Sequence, residues 1–145
     1  VLEEAGLEPC LLELEVTEGL LISGADKAIE QLGALRHLGV LVAIDDFGTG
    51  FSSLSYLHKL PINKVKLDRI FIQGVDYNLD NAAIVQGVII MAHHLGLQVV
   101  AEGVETVAEQ EYLIKRGCDL LQGFHFSRPV PLAEFMALPA ILPAK

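Results

Sequence analysis

The sequence is poor in cysteine and aromatic residues, which excludes several common protein classes. Among 145 residues there are two cysteines, Cys10 and Cys118, no tryptophan, and only 6% aromatic residues. Two cysteines in apolar surroundings form neither a disulfide framework nor a metal-binding spacing, which is typical of a reducing cytoplasm. We therefore interpret both as core residues. We expect a cytoplasmic location, as a free protein or as the cytoplasmic part of a larger, membrane-anchored or multidomain protein.

Basic residues and long apolar runs are also scarce. The chain has ten Lys and Arg and nineteen Asp and Glu, which gives a formal net charge of −9. This charge argues against a nucleic-acid polymer as partner. A small phosphate ester remains compatible if metal ions lie between carboxylates and phosphate. Hydrophobic residues make up 52% of the chain, but no run reaches membrane-spanning length, so we expect no direct membrane contact.

Strand and helix patterns alternate along the chain. Strands are predicted at residues 10–16, 40–44, 63–72, 97–101 and around 122–126. Helices are predicted between them, with capping boxes at Ser23 with Asp26 and at Thr106 with Glu109, and an N-cap at Asn78 or Asp80. This order indicates an α/β fold with a parallel sheet, in one domain of residues 1–138 followed by a loose tail at 139–145.

The most informative segment is residues 40–54, VLVAIDDFGTGFSSL. A buried strand pattern ends there in Asp45 and Asp46, and a glycine-bearing loop follows. Adjacent carboxylates repel each other unless a cation lies between them, and Mg²⁺ and Mn²⁺ prefer oxygen ligands of this kind. For this pair alone, a turn-capping Asp beside a solvated one explains the pattern equally well.

Every predicted strand carries a polar group at or near its C-terminal end. These groups are Glu15, Asp45 with Asp46, Lys66 with Asp68, Glu102, and Gln122. The carboxyl ends of parallel strands hold the active site in α/β barrels and open sheets alike. Five such positions in succession argue against a purely structural explanation.

The set has a chemical logic. Glu15, Asp45, Asp46 and Glu102 can hold one or two divalent cations, which clamp a phosphoryl group and activate water for in-line attack. Lys66 can orient that water or neutralise developing charge. Gln122 can hydrogen-bond a metal-bound water or a substrate edge. Glu18, just past its strand, can instead hold the DDFGTG loop.

Some of these residues have simpler explanations. Lys66 can merely pair with Asp68 or with a buried carboxylate. Gln122 before a glycine can serve a turn, and Glu105 can favour a helix N-terminus. For Gln122 and Glu105 taken singly, we favour the simpler explanation.

These residues lie in segments that resemble the EAL domain, the cyclic-di-GMP phosphodiesterase family. The matching segments are residues 15–18 (EVTE), 45–54 (DDFGTGFSSL), 66–69 (KLDR), 101–106 (AEGVET) and 122–129 (QGFHFSRP). They follow the family order and spacing over nearly the whole chain. The combination of DDFGTG and AEGVET is highly specific.

The resemblance implies a TIM-like (β/α) barrel that hydrolyses cyclic di-GMP to linear pGpG with Mg²⁺ or Mn²⁺. The implied metal ligands are Glu15, Asp45, Asp46 and Glu102. Lys66 is the implied lysine that positions the nucleophilic water, and Glu102 is also a candidate proton acceptor.

The remaining assignments concern substrate and assembly. Asp68, Gln122 and Glu105 are assigned to binding substrate or metal-bound water. Glu18 is the implied glutamate that holds the DDFGTG loop, an element associated with dimerisation in the family. We therefore expect a homo-oligomer.

One departure from the family is large. The Glu-Ala-Leu signature and an asparagine ligand on a later strand are absent, and both belong before Val1 in the family pattern. A barrel of this type needs about 250 residues, so we expect an incomplete barrel of about its last five strands. Open sheet edges promote association, so the chain is either a fragment or completes its sheet through a partner or a second copy.

Three functions are compatible with this pattern. The leading hypothesis is the C-terminal part of an active phosphodiesterase domain. The first alternative is a degenerate EAL domain that binds or senses cyclic di-GMP without cleaving it. The second is a truncated oligomerising or regulatory piece.

We predict that these 145 residues alone are at best a weak catalyst, because two expected metal ligands are missing. Mn²⁺-dependent turnover of cyclic di-GMP, with chromatography for pGpG, should detect product only from the N-terminally extended protein. Rapid metal-dependent turnover by a monomer of these residues would contradict this prediction.

Overall fold

A computed structural model describes residues 2–17, 25–50 and 57–138. Its strands are β1 (Glu13–Thr17), β2 (Leu41–Phe47), β3 (Lys64–Leu67), β4 (Gln98–Glu102) and β5 (Leu120–Gln122). Its α-helices are α1 (Leu2–Ala5), α2 (Ala25–His37), α3 (Arg69–Ile72), α4 (Leu79–His94), α5 (Val107–Lys115) and α6 (Leu132–Phe135), with a 3₁₀ helix at Pro9–Leu11. The predicted alternation of strands and helices is confirmed.

The strands form one parallel sheet in the order β1-β2-β3-β4-β5. A doubly wound sheet reverses its strand order at a switch point, whereas a (β/α) barrel adds each strand beside the preceding one. The unbroken order is therefore that of a barrel arc. Within the described ranges, β1 and β5 each have a neighbouring strand on one side only.

The two faces of the sheet differ in polarity. Val65, Leu67, Val99 and Ala101 are fully buried in the core, as are apolar residues of α4 that belong to the same cluster. Because side chains alternate along a strand, the neighbours of these residues point the other way. Lys64, next to Val65, is one of them, and its Nζ lies 2.5 Å from Glu13 Oε2. One face is thus an apolar helix-packing surface and the other carries paired charges.

Two of the predicted helix starts are confirmed. Asn78 caps α4, and its side chain accepts hydrogen bonds from the backbone N–H groups of Asp80 and Asn81. Thr106 and Glu109 form a reciprocal capping box at α5. The predicted box at Ser23 lies outside the described residues.

Two predicted strand boundaries are wrong, one at the start of the first strand and one at the end of the third. The first strand begins at Glu13, not at Cys10, because Pro9 opens a 3₁₀ helix. The third ends at Leu67 instead of running to Ile72. There the Asp68 carboxylate accepts a hydrogen bond from Ile70 N at 2.8 Å and caps α3.

The last strand also differs from its prediction. β5 ends at Gln122 instead of extending to Phe126. His125 N then donates to the carbonyl of Val104, which lies in the loop after β4. The chain therefore leaves the sheet at Gly123 and folds against that loop.

The cysteine prediction holds for one residue only. Cys118 is partly buried against the core, and burial raises the pKa of its thiol to about 11. Cys10 is exposed, because it lies in the 3₁₀ helix and not in a strand. Both are free thiols.

Two further expectations concern the ends of the chain and membranes. The tail at 139–145 lies outside the described residues, and the assignment of residues 1–138 to one domain stays a prediction. In the ranges that the structure describes, no helix is long and apolar enough to cross a bilayer.

Gly123 allows the close approach between β5 and the loop after β4. Val104 N donates to the carbonyl of Gln122 at 3.0 Å, which brings the Val104 backbone against Gly123. A Cβ atom at position 123 would collide with the backbone N and O of Val104. A backbone atom cannot move aside as a flexible side chain can.

We predict that Gly123→Ala lowers the free energy of unfolding by about 1–3 kcal/mol, because the added methyl group overpacks this contact. Gly87→Ala is the matched control, since Gly87 lies in α4 with open space around its Cβ position. It should raise the free energy by about 0.5–1 kcal/mol through backbone entropy. Urea unfolding of both variants measures the difference, and equal effects would contradict the prediction.

Candidate active site

Asp45 and Asp46 reach the same side of the sheet through a β-bulge. Regular alternation would send adjacent side chains to opposite faces. The register between β2 and β3 shifts here, because Ile44 pairs with Val65 and Phe47 pairs with Leu67. β2 therefore contains one extra residue, and Asp46 has the left-handed φ of +54°. The bulge re-aims a side chain that strand geometry would direct away.

The bulge completes a cluster of carboxylates. One oxygen each from Asp45, Asp46 and Glu102 lies within 4.8 Å of the others. Oδ1 of Asp45 is buried and lies 3.2 Å from Nζ of Lys66. Burial, and then the neighbouring Asp45 and Asp68 carboxylates, raise the pKa of Asp46. An all-oxygen donor set that repels itself fits a hard divalent cation.

Lys66 is the positive counterpart of this cluster. Its side chain is 6% exposed, and Nζ lies 2.5 Å from Glu15 Oε1, 2.8 Å from Glu102 Oε1 and 3.2 Å from Asp45 Oδ1. Burial lowers the pKa of this ammonium group. Hydrogen bonds to Glu102 and Glu15 outweigh burial, so the pKa lies above its ordinary value. Lys66 therefore stays charged and acts as a fixed positive charge, not as a base.

This geometry separates Glu15 from the other predicted ligands. Its side chain is half exposed and contacts Lys66. It is not among the carboxylates that lie within 4.8 Å of one another. The simpler explanations for Lys66 were a pair with Asp68 or a pair with a buried carboxylate. In the structure Lys66 pairs with carboxylates from three other strands.

Beside Glu102 there is a pocket of about 230 Å³. It is lined by Asp68, Arg69, Glu102, Gly103, Glu105, Gln122, Gly123 and Phe124. All three residues predicted to bind substrate or water thus border one cavity. Asp68 also caps α3, so the same carboxylate stabilises a helix start and borders the pocket.

Two glycines allow close contacts between segments around the site. Gly48 of the DDFGTG loop has φ +92°, and a Cβ there would press against the ring of Phe71 in α3. Gly103 has φ +72°, and a Cβ there would collide with Cβ of Arg69. Glu18, predicted to hold the DDFGTG loop, lies outside the described residues.

Three residues of this region were not singled out from the sequence as site residues. Arg69 and Phe124 line the pocket, and the Arg128 guanidinium lies over the Phe124 ring, 4.5 Å from its centroid. Arg69 directly follows the KLD segment and Phe124 directly follows Gln122-Gly123, and these positions were the available signal. Glu109 was predicted only as a helix cap, but it also contacts a second loop.

Comparison with known proteins gives a consistent picture. The family model described as the EAL domain matches residues 1–129. The cyclic di-GMP phosphodiesterase NbdA of Pseudomonas aeruginosa is 52% identical over 132 residues, which cover 91% of this chain and 17% of NbdA. The chain therefore spans less than a fifth of that relative.

Solved structures are similar in fold as well as in sequence. The MucR phosphodiesterase of Pseudomonas aeruginosa, in complex with cyclic di-GMP, has a TM-score of 0.87 and 46% identity; the match covers 92% of this chain and 54% of that one. BlrP1 of Klebsiella pneumoniae, in a complex with manganese and cyclic di-GMP, has a TM-score of 0.82 and 43% identity; the match covers 88% and 33%.

We predict that Asp46→Asn stabilises the metal-free protein at pH 7 and weakens Mn²⁺ binding. A raised pKa in the folded state means that ionisation of Asp46 opposes folding. This penalty grows as the pH rises from the ordinary value of 3.8 through the raised pKa, and it is absent at lower pH. Thermal unfolding in EDTA from pH 3 to 7 and Mn²⁺ titration measure the two effects.

Asp46→Ala is the control for backbone conformation. Asn tolerates a left-handed φ, whereas Ala does not, so the alanine variant should be less stable than the asparagine variant at every pH. An asparagine variant that is less stable than the wild type in EDTA at pH 7 would refute the electrostatic explanation.

Proposed function

Because this chain belongs to the EAL domain family, we propose that it is the C-terminal part of a metal-dependent phosphodiesterase that hydrolyses cyclic di-GMP to linear pGpG. EAL domains are TIM-like barrels, and the sequential parallel sheet of this chain is an arc of such a barrel. The relatives named above are cyclic di-GMP phosphodiesterases or bind cyclic di-GMP. The reaction, its metal and its product are our proposal for this chain.

The observation that carries the proposal is the carboxylate cluster around Lys66 at the carboxyl ends of four strands. Asp45, Asp46 and Glu102 would hold one or two Mg²⁺ or Mn²⁺ ions. We propose Glu15 as a further ligand, although its carboxylate here contacts Lys66 outside that cluster. Such ions, when bound, polarise a phosphoryl oxygen and make water more acidic. Manganese and calcium complexes of BlrP1 support a divalent metal.

Lys66 and Glu102 act on the attacking water and on the phosphoryl group in the proposed reaction. Water attacks phosphorus, the bond from phosphorus to one ribose oxygen breaks, that oxygen takes up a proton from solvent, and the ring opens to a linear dinucleotide. Lys66, held charged by its carboxylate partners, orients the attacking water and offsets negative charge that develops on the phosphoryl group. Glu102 accepts the proton of that water.

The pocket beside Glu102 supplies substrate contacts. Asp68 and Glu105 offer carboxylate acceptors, and the Gln122 side chain offers both a donor and an acceptor. Arg69 adds a positive charge at the same cavity. This combination suits a nucleotide, which presents hydrogen-bonding edges and phosphate oxygens.

Assembly and location are also part of the proposal. We propose that the outer edges of β1 and β5 pair with further strands, from the same protein or from a second copy, because open sheet edges promote association. We further propose a homo-oligomer, which the family resemblance supports, and a cytoplasmic location, which the two free thiols support.

We predict that Lys66→Gln lowers kcat for cyclic di-GMP by about 10²-fold or more, since it removes a preorganised charge from the reacting group. Lys64→Gln is the matched control. Lys64 lies two residues earlier on the same face of β3 and also forms a carboxylate pair. It should keep kcat within about threefold, because it lies one layer away from the site.

Turnover is measured on the full-length protein with Mn²⁺, with chromatography for pGpG and circular dichroism as a check of folding. Equal loss in both folded lysine variants would show that any charge removed from this face is harmful. If the wild-type protein binds cyclic di-GMP but forms no pGpG, the proposed enzyme function is wrong and the domain is a cyclic di-GMP sensor.

A further inference from the structure

Glu109 is a buried carboxylate whose two oxygens face different loops. It is 5% exposed and lies in the first turn of α5. Its Oε2 accepts hydrogen bonds from the backbone N–H groups of Glu105 at 2.9 Å and Thr106 at 3.0 Å. Its Oε1 accepts a hydrogen bond from Gly74 N at 3.0 Å, 35 residues earlier in the chain.

The bond to Gly74 is not needed for capping. A capping box uses one side-chain oxygen at the third helical residue to reach back to the N-cap backbone, and Oε2 already does this. Oε1 instead ties the loop that follows α3 to the loop that precedes α5. Burial raises the pKa of Glu109, but the N–H donors outweigh it, so the pKa is lowered and the carboxylate stays charged.

The two joined loops carry site residues. The segment from β3 to Gly74 contains Asp68 and Arg69, and the loop from β4 to α5 contains Gly103 and Glu105 directly after Glu102. They also touch at Gly103, where an added Cβ would collide with Arg69. Glu109 joins the same two segments and is not among the residues that line the pocket.

We propose that Glu109 is a positioning residue, which holds the loop after β4 against the segment from β3 to Gly74 and so sets the placement of Glu102 relative to Asp45 and Asp46. The inference rests on the proposed function, because it assigns Glu102 to metal and substrate. Residues that orient ligands through hydrogen bonds alter metal affinity by about 10- to 100-fold when they are changed.

Two variants of the full-length protein test the proposal. Glu109→Gln has nearly the same shape but only one acceptor oxygen, so it cannot satisfy both loops. Glu109→Asp keeps the charge and both oxygens but is one methylene shorter, so it cannot span the distance. If the glutamine variant does not fold, the aspartate variant provides the test.

Thr106→Ala is the matched control. It removes the hydroxyl that accepts a hydrogen bond from Glu109 N at 3.2 Å and leaves the bond to Gly74 in place. It should lower the thermal stability as a lost helix cap does. It should leave Mn²⁺ binding within about twofold of the wild type, because the ligand loop keeps its anchor.

The readouts are Mn²⁺ binding, from the electron paramagnetic resonance signal of free Mn²⁺, and amide hydrogen exchange at residues 73–75 and 103–106. We expect the Glu109 variants to raise the Mn²⁺ dissociation constant about 10-fold. We also expect faster exchange in both segments at once, because these loops open together when the tie is lost. KM for cyclic di-GMP should rise in parallel.

The outcomes separate the two proposals. Wild-type protein that binds Mn²⁺ without hydrolysing cyclic di-GMP would refute the proposed function, while the Mn²⁺ comparison would still decide the role of Glu109. Glu109 variants that lose stability as Thr106→Ala does, yet bind Mn²⁺ as the wild type does, would reduce Glu109 to a helix cap. Absence of Mn²⁺ binding by the wild type would overturn the positioning role as well.

Discussion

The interaction on which the site depends is the sharing of one buried ammonium group by carboxylates from three other strands. Lys66 of β3 contacts Glu15 of β1, Asp45 of β2 and Glu102 of β4, so a single charge joins four neighbouring strands at their carboxyl ends. Loss of Lys66 would leave these three carboxylates facing one another without a positive charge, which would destabilise the folded state. The cluster is therefore a structural element as well as a chemical one.

Backbone strain and carboxylate repulsion coincide at this end of the sheet. Asp46 adopts a left-handed backbone conformation and sits beside Asp45 and Asp68, which raise its pKa. Such an arrangement opposes folding unless a cation compensates for it, and strain of this kind concentrates at functional sites. The charge that Lys66 provides offsets part of the repulsion, and a divalent ion would offset the rest.

Helix and strand boundaries were predicted best where a short sequence pattern determines them. Thr106 and Glu109 lie one helical turn apart, so their capping box was readable without the fold. Residues 63–72 were wrongly joined into one strand, because the apolar RIFI segment continues the strand pattern after Asp68. The capping bond of that aspartate decides that a helix begins there. Exposure of Cys10 was missed for a similar reason, since the 3₁₀ helix at Pro9–Leu11 interrupts the apolar run.

The sequence by itself determined the family, the parallel α/β architecture and the residue types at the strand ends, because buried-strand periodicity and specific motifs such as DDFGTG are local properties. Only the tertiary structure decided how those residues meet. The bulge that turns Asp46 toward Asp45, the place of Glu15 beside Lys66, and the bond from Glu109 to Gly74 all depend on register and on contacts between distant segments. Spacing along a chain cannot specify these, because side-chain direction at a bulge and the approach of two loops are set by packing.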